Sequence, residues 1–270
     1  MILRTLSIAA LVVAATTAVR ADEYTDRANA LYRTISQAQR SDLVLLPLLA
    51  KMDAPPAAVA SLDKAMIVPA SSGGWSAAES WAMAAPQRAI IQALDRITKI
   101  EKPDEAMAFG QPYGADAVGA AAGGADLIKA NLYTELGDPP MLAGAKFLYL
   151  DPLEKVASLV NVEATRLAAA GQMDQAMDVL IDWLFFSRQM ADRQMFAESA
   201  WGIGQMVLTF ERIMDVAYVD FRSGKKALTV DQILAVVDRL RDQGGFLRMD
   251  RVKFPEGNRI AAEQTVAMVF

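Results

Sequence analysis

Any chemistry in this chain falls to carboxylates, lysines, hydroxyls and phenols, because its 270 residues include neither histidine nor cysteine. Without imidazole there is no Ser-His-Asp triad, no His-Glu-x-x-His zinc site, no His-ligated haem and no two-His, one-carboxylate iron site. Without a thiolate there is no cysteine nucleophile, iron–sulfur cluster or zinc ribbon. What survives is paired-acid hydrolysis, Ser-Lys chemistry or a cation held by oxygen ligands. The acids that could serve are Asp104, Glu105, Glu154, Glu163 and Asp182. Their spacing singles out no pair, and acids are the ordinary covering of helix surfaces. Ser61 and Lys64 stand at the Ser-x-x-Lys spacing, but the Ser-Asp-Asn and Lys-Thr-Gly companions of penicillin-recognising enzymes are absent. No stretch alternates acids around a central glycine as a calcium loop does. Gly110-Gln-Pro-Tyr-Gly114 has the glycines of a phosphate cradle, yet it lacks the Lys-Ser/Thr ending and follows no clear strand. Trp75 and Trp81 could be stacking platforms for a sugar polymer or core residues beside a capped helix. Catalytic residues therefore stay unassigned, and no cofactor or metal is implied.

The N-terminus reads as a secretory signal: Arg4, an apolar run from Leu6 to Ala18, then Val19-Arg20-Ala21 as a cleavage site before Asp22. A membrane anchor would need about 20 apolar residues, more than this run supplies. Removing residues 1–21 takes away Arg4 and Arg20 and no acid, leaving 25 basic against 32 acidic side chains. An acidic chain without a basic block is poorly suited to nucleic acid or to anionic membrane surfaces. The expected location is periplasmic or secreted, with no integral membrane segment after cleavage. Lacking cysteine, the exported protein must hold itself together by packing alone.

The elements that would position any site read as helices. Residues 22–49 carry an apolar stripe broken near Ser41, interrupted by Pro47 and by Ala54-Pro55-Pro56. Ser76-Ala-Ala-Glu79 has capping-box spacing and predicts a helix that resumes after Pro86 and runs to about Ile100. Residues 102–125 hold five glycines and two prolines and read as a loop, linker or poorly packed insertion. Asp151, Pro152 and Glu154 supply an N-cap, a first-turn proline and a reciprocal acid, which predicts a helix from residue 152 to about Ala170. Gly171-Gln172 breaks it, and a second helix over 174–190 must fold back on the first. Phe196–Tyr218 is long, apolar and helical, and Thr229-Val-Asp-Gln232 is another capping box, opening a helix that stops before Gly244-Gly245. After Pro255-Glu-Gly257 the chain again reads as helix and ends on an apolar tail, Val269-Phe270, suited to burial or to oligomerisation. The fold class is all-α, built of antiparallel helical hairpins. A signal over 1–21 precedes an N-terminal helical part over 22–101, a Gly-rich linker over 102–125 and a C-terminal hairpin part over 126–270.

The second hairpin resembles a tetratricopeptide repeat over residues 157–190. Val160, Ala164, Leu167, Gly171, Met173, Ala176, Met177 and Leu180 fall where that motif places its bulky, small, turn and apolar residues. Trp183 and Arg188 depart from it, standing where a small residue and a proline are usual. No second copy recurs at a fixed period. More loosely, Gly171–Val219 is similar to exported helical proteins of planctomycete-type bacteria. These resemblances imply architecture, with a solenoid of such hairpins as one form of it, more than activity.

The functional reading that follows is an exported, non-enzymatic helical scaffold binding protein or peptide partners on a concave face. Two alternatives stay open: a carboxylate-dependent hydrolase of cell-envelope glycans, and a structural subunit of an envelope assembly. If the signal reading is right, intact-mass measurement of exported protein will give a chain starting at Asp22; retention of residues 1–21 in that material would contradict it.

Overall fold

From Leu180 to Ala191 every residue is buried, so this stretch of chain has protein on all its sides. An α-helix that is covered all round must lie at the centre of its domain. The computed structural model describes residues 23–98, 107–224, 227–242 and 255–269 and is all-α. The expected signal at 1–21, Asp104, Glu105 and Phe270 lie outside the described residues. In chain order the helices are α1 (residues 23–30), α2 (Ser41–Leu49), α3 (Leu62–Ile67), α4 (Trp75–Met83), α5 (Ala85–Thr98), α6 (Ala115–Gly119) and α7 (Gly124–Lys129). They continue as α8 (Leu150–Ala169), α9 (Met173–Ala191), α10 (Phe196–Ser223), α11 (Val230–Asp242) and α12 (Glu256–Val269). A two-stranded antiparallel ribbon, β1 (Thr134–Glu135) with β2 (Lys146–Phe147), sets Thr134 opposite Phe147.

Helix α9 is the central one, packed against α8, α10 and α5. The turn between α8 and α9 is of the Schellman type: Gln172 N–H donates to Leu167 O (2.9 Å) and Gly171 N–H to Ala168 O (3.0 Å). Gly171 has φ of 78°, the left-handed conformation this turn requires. The main core takes Leu45, Trp81, Ile90 and Leu94 from the expected N-terminal part and Val156, Leu180 and Met206 from the expected C-terminal part. A smaller core joins the two ends of the chain, with Ala28 and Tyr32 against Ile260 and Ala261.

Several local expectations shift, each because a tertiary contact outweighs a local signal. Helix α8 begins at Leu150 rather than at residue 152, with Tyr149 as N-cap and no side-chain cap. Asp151 sits in its first turn, where its charge suits the helix dipole, and Pro152 lacks an N–H where none is needed. Helix α4 begins at Trp75, and Ser76 does not cap it, because the burial of Trp75 draws that residue into the first turn. Pro47 lies inside α2 instead of ending it, since the buried Leu45, Leu46 and Leu49 hold the helix against the core. The capping box at Thr229 does form: Thr229 N–H donates to Gln232 Oε1 (2.8 Å) and Gln232 N–H to Thr229 Oγ1 (3.2 Å).

The Gly-rich segment departs furthest from expectation. Its described part, 107–125, is neither linker-like nor poorly packed: Phe109, Gln111, Tyr113 and Val118 are buried, and α6 lies within it. Ser41 N–H donates to Ala108 O (3.0 Å) and Ala108 N–H to Gln39 O (2.8 Å), tying the segment to the start of α2. Asn29 clamps Tyr113, accepting its N–H at 2.7 Å and donating to its carbonyl at 3.0 Å.

Helices α9 and α10 approach so closely that a Cβ on Gly202 would stand 2.4 Å from Ala191 N and 2.8 Å from Ser187 O. Gly204, two residues on in the same helix, has nothing within 4 Å of the equivalent point. Gly202→Ala should therefore destabilise the fold by about 1–3 kcal/mol or more. Gly204→Ala should be neutral or stabilising by up to about 1 kcal/mol through helix propensity. Urea denaturation of the two variants beside the parent checks the opposite signs.

Candidate functional site

The most polar interior point is an ion pair with no exposure to solvent, between Arg193 in the α9–α10 turn and Glu198 in the first turn of α10. Arg193 Nε donates to Glu198 Oε1 at 2.6 Å, while its two Nη atoms donate to the carbonyls of Phe109 (3.2 Å) and Gln111 (2.9 Å). The phenols of Tyr113 (2.7 Å) and Tyr149 also donate to the carboxylate. Because Tyr113 gives its proton to Glu198, the 2.7 Å bond between the two phenols has Tyr32 as donor, and Tyr32 in turn accepts from Gln194 N–H at 2.9 Å. The guanidinium carbon lies 4.0 Å from the Tyr32 ring centre and 4.9 Å from that of Tyr113. Burial pushes Tyr32 up to about 12 and holds Tyr113 and Tyr149 well above the ordinary phenol range. Burial alone would lower Arg193, but the facing Glu198 outweighs it and holds the guanidinium well above its usual value. Protonated phenols, a permanent cation and no access to substrate make this a structural lock and not a catalytic centre.

Among the described residues, the acids suggested by sequence, Glu154, Glu163 and Asp182, have separate surroundings. Glu163 is buried and accepts from Arg88 Nη1 (2.6 Å) and Arg166 Nε (2.7 Å), so its charge is already met twice. Asp182 is buried on another helix, accepts from Thr98 Oγ1 at 2.9 Å and lies 3.6 Å from Arg239. Glu154 is exposed, as are Ser61 and Lys64. Trp75 and Trp81 are core residues, the latter donating from Nε1 to Asp53 O at 3.0 Å, and so offer no stacking surface. The amides of the supposed phosphate cradle are spent: Gly110 N–H donates to Asp42 Oδ1 (2.9 Å), Tyr113 N–H to Asn29, and Gly114 N–H to Thr134 O (3.2 Å).

Two concave features and one convex one escaped the residue-by-residue search. A polar cleft of about 730 Å³ lies beside Tyr113, with Asp26, Asp116, Glu135 and Asp138 in its lining. Among the described residues no group of three or more acids is placed to hold a metal ion. A second, more apolar groove of about 410 Å³ runs between α3, the α8–α9 turn and α10.

The convex feature is the outer face of α10. Ala200, Ile203, Val207, Phe210, Met214, Ala217 and Phe221 follow one another at alternating spacings of three and four residues. That is the seam pattern of a coiled coil. Phe196 continues the stripe toward the start of the helix and Tyr218 flanks its far end, giving a length of about 38 Å from Phe196 to Phe221 at 1.5 Å per residue. Val207, Phe210, Met214 and Phe221 stand in solvent beside Tyr218, with Met214 63 %, Tyr218 61 % and Phe221 72 % exposed, whereas Ile203 and Ala217 are half-buried against the main core. The signal was present in the sequence, where Phe196–Tyr218 read as apolar and helical. Its inner and outer stripes are separable only once Met206, Ile213 and Val216 are seen to face the core. Comparisons with protein-family models, with curated proteins and with solved structures find no match.

Asp182 gives the interior a pH dependence. Burial pushes its carboxyl up to about 6, opposed by Thr98 and Arg239 and reinforced by the nearby Asp95 and Asp178. A carboxyl that binds its proton more tightly folded than unfolded makes the folded state less stable as pH rises through the interval between the two values, here about 4 to about 6. Asp182→Asn keeps an acceptor for Thr98 and removes the charge. Its stability relative to the parent should rise across that interval, by at most about 3 kcal/mol at pH 7.5. Denaturation at pH 4 and pH 7.5 measures the difference.

Proposed function

We propose that this protein is an exported, non-enzymatic helical scaffold whose outer α10 face binds an amphipathic helix of a partner protein. The observation that carries the reading is the exposed three-four stripe on α10. An apolar stripe with Val207, Phe210, Met214 and Phe221 exposed along it marks an interaction surface, and its heptad spacing is the one that receives another helix in knobs-into-holes packing. The acids Glu211 and Asp215 are exposed within the same stretch of the helix. A partner helix with basic flanks fits them better than a second copy, which would bring like charges together.

Within this reading the α8–α9 hairpin is of the tetratricopeptide type, supported by the Gly171 turn and by the burial of Ala164 and Ala176. The departures at Trp183 and Arg188 put large buried side chains on the Leu180–Ala191 stretch of α9, which is enclosed on all sides, so binding is assigned to the outer helix and not to a concave inner face. The glycan-hydrolase alternative loses its supports, since the tryptophans are in the core and Glu163 is neutralised.

The test uses a synthetic helix carrying Leu and Ile at its seam and Lys and Arg at its flanks, titrated by fluorescence anisotropy against the parent and a Phe210→Asp, Met214→Asp variant. The variant should bind at least tenfold more weakly yet stay folded, as its far-UV circular dichroism will report, because Met214 is 63 % and Phe210 37 % exposed. Equal binding by the variant, or by a version of the peptide with acidic flanks, would overturn the reading. A homodimer in sedimentation that the same substitutions dissolve would assign the stripe to a second copy.

A further inference from the structure

The arginines that are not exposed follow a rule with one exception. Arg27, Arg40, Arg88, Arg166, Arg188, Arg193 and Arg239 each have a carboxylate within ion-pair distance. Arg212 on α10 is the exception: among the described residues no carboxylate lies within that distance. Its Nη2 donates to Thr165 Oγ1 at 2.7 Å, and Thr165 passes its own proton to Asn161 O at 3.0 Å. Its Nε is buried and has no hydrogen-bond partner. A charged, planar donor group left partly unmet in an enclosed position is costly unless something else completes it.

Arg212 lies in the wall of the 410 Å³ groove, whose other walls include Met66, Ile67, Val68, Met173, Val216 and Val219. Asp220 also reaches this groove, but its two carboxylate oxygens accept the N–H groups of Ala227 and Leu228 (3.0 Å each) and so cap the chain beyond α10. Among the described residues the groove thus combines a mainly apolar wall with one under-compensated cation, the composition of a small-molecule site at the small end of the usual volume range. Burial lowers Arg212 from its ordinary value while Asp215 acts against this, as expected of a guanidinium short of a counter-charge.

We propose that the groove between α3, the α8–α9 turn and α10 binds a monocarboxylate with an unbranched apolar body, its head paired with Arg212 and its tail laid against Met66, Val68, Met173 and Val216. A carboxylate is favoured because its planar pair of oxygens matches the guanidinium fork. A monoanion is favoured because one cation balances one charge, whereas a phosphate dianion would leave excess charge against an apolar wall. The volume suits a single chain of medium length, and the exposed Ile67 and Val219 stand at the rim, where the tail would enter. This site lies on a different side of α10 from the coiled-coil stripe and does not depend on it.

The probe is decanoate, titrated calorimetrically below its aggregation concentration, with decanol and acetate as the uncharged and tailless controls. Decanoate should bind one molecule per chain, and decanol and acetate each at least tenfold more weakly. Arg212→Gln should reduce decanoate affinity at least tenfold and bring it level with decanol. Ala169→Trp, which fills the groove from a surface position and leaves Arg212 in place, should abolish binding and keeps the test available if Arg212→Gln fails to fold. Absence of saturable decanoate binding, equal affinity for decanol, or unchanged binding by either folded variant would each overturn the proposal.

Discussion

The Arg193–Glu198 pair is enclosed completely, and enclosing two charges is expensive unless nearly every polar atom around them is met. Here the carboxylate accepts from a guanidinium and two phenols, and the guanidinium also donates to two backbone carbonyls. Those partners come from the Gly-rich segment, from the N-cap of α8 and from the α9–α10 turn, and the Tyr32 ring from the segment after α1 lies over the guanidinium. These three stretches are far apart in sequence, and only tertiary packing brings them together. Removing one member of such a pair leaves a buried charge unmet, typically at about 3–5 kcal/mol, so the arrangement is all or nothing. The lock also sets geometry: Glu198 lies in the first turn of α10, where the helix dipole favours an anion.

A consequence is that α10 leaves its turn in one fixed direction. Its inner face is pressed on α9 at Gly202, its side carries Arg212 and lines the apolar groove, and its outer face leaves Val207, Phe210, Met214 and Phe221 exposed. A helix apolar on inner and outer faces alike is ordinarily buried all round. Here the core covers the inner one, and the other is available to a partner because the lock and the close α9–α10 contact keep the helix from turning it inward. The two proposed binding features therefore use one rigid element from two sides, and neither calls on the acid–base groups that a catalytic reading would need.

The Gly-rich segment shows the same principle from the other direction. Its composition argues for looseness, since glycine and proline neither fill a core nor continue a helix. Yet Phe109, Gln111 and Tyr113 give the lock two carbonyls and a phenol, and Asp42, Asn29 and Gln39 take up its backbone donors. Small residues are useful there because the chain must pass close to Arg40 and Ile35, as the surroundings of Gly110 show.

What depends on near neighbours was legible along the chain: the helical class, the Gly171 turn, the capping box at Thr229, and the exclusion of imidazole and thiolate chemistry. Periodicity and capping are local, set by residues three or four apart, and so can be read along the chain. Tertiary structure decided everything that depends on distant partners. It moved the start of α8 to Leu150, where Tyr149 is held by Glu198, and it kept Pro47 inside α2. It sent Trp75 and Trp81 into the core and separated Glu163 from Asp182. It also divided the apolar residues of α10 into those that hold the protein together and those that face outward, because hydrophobicity says only that a side chain avoids water, and the packed neighbours determine which faces are shielded from it.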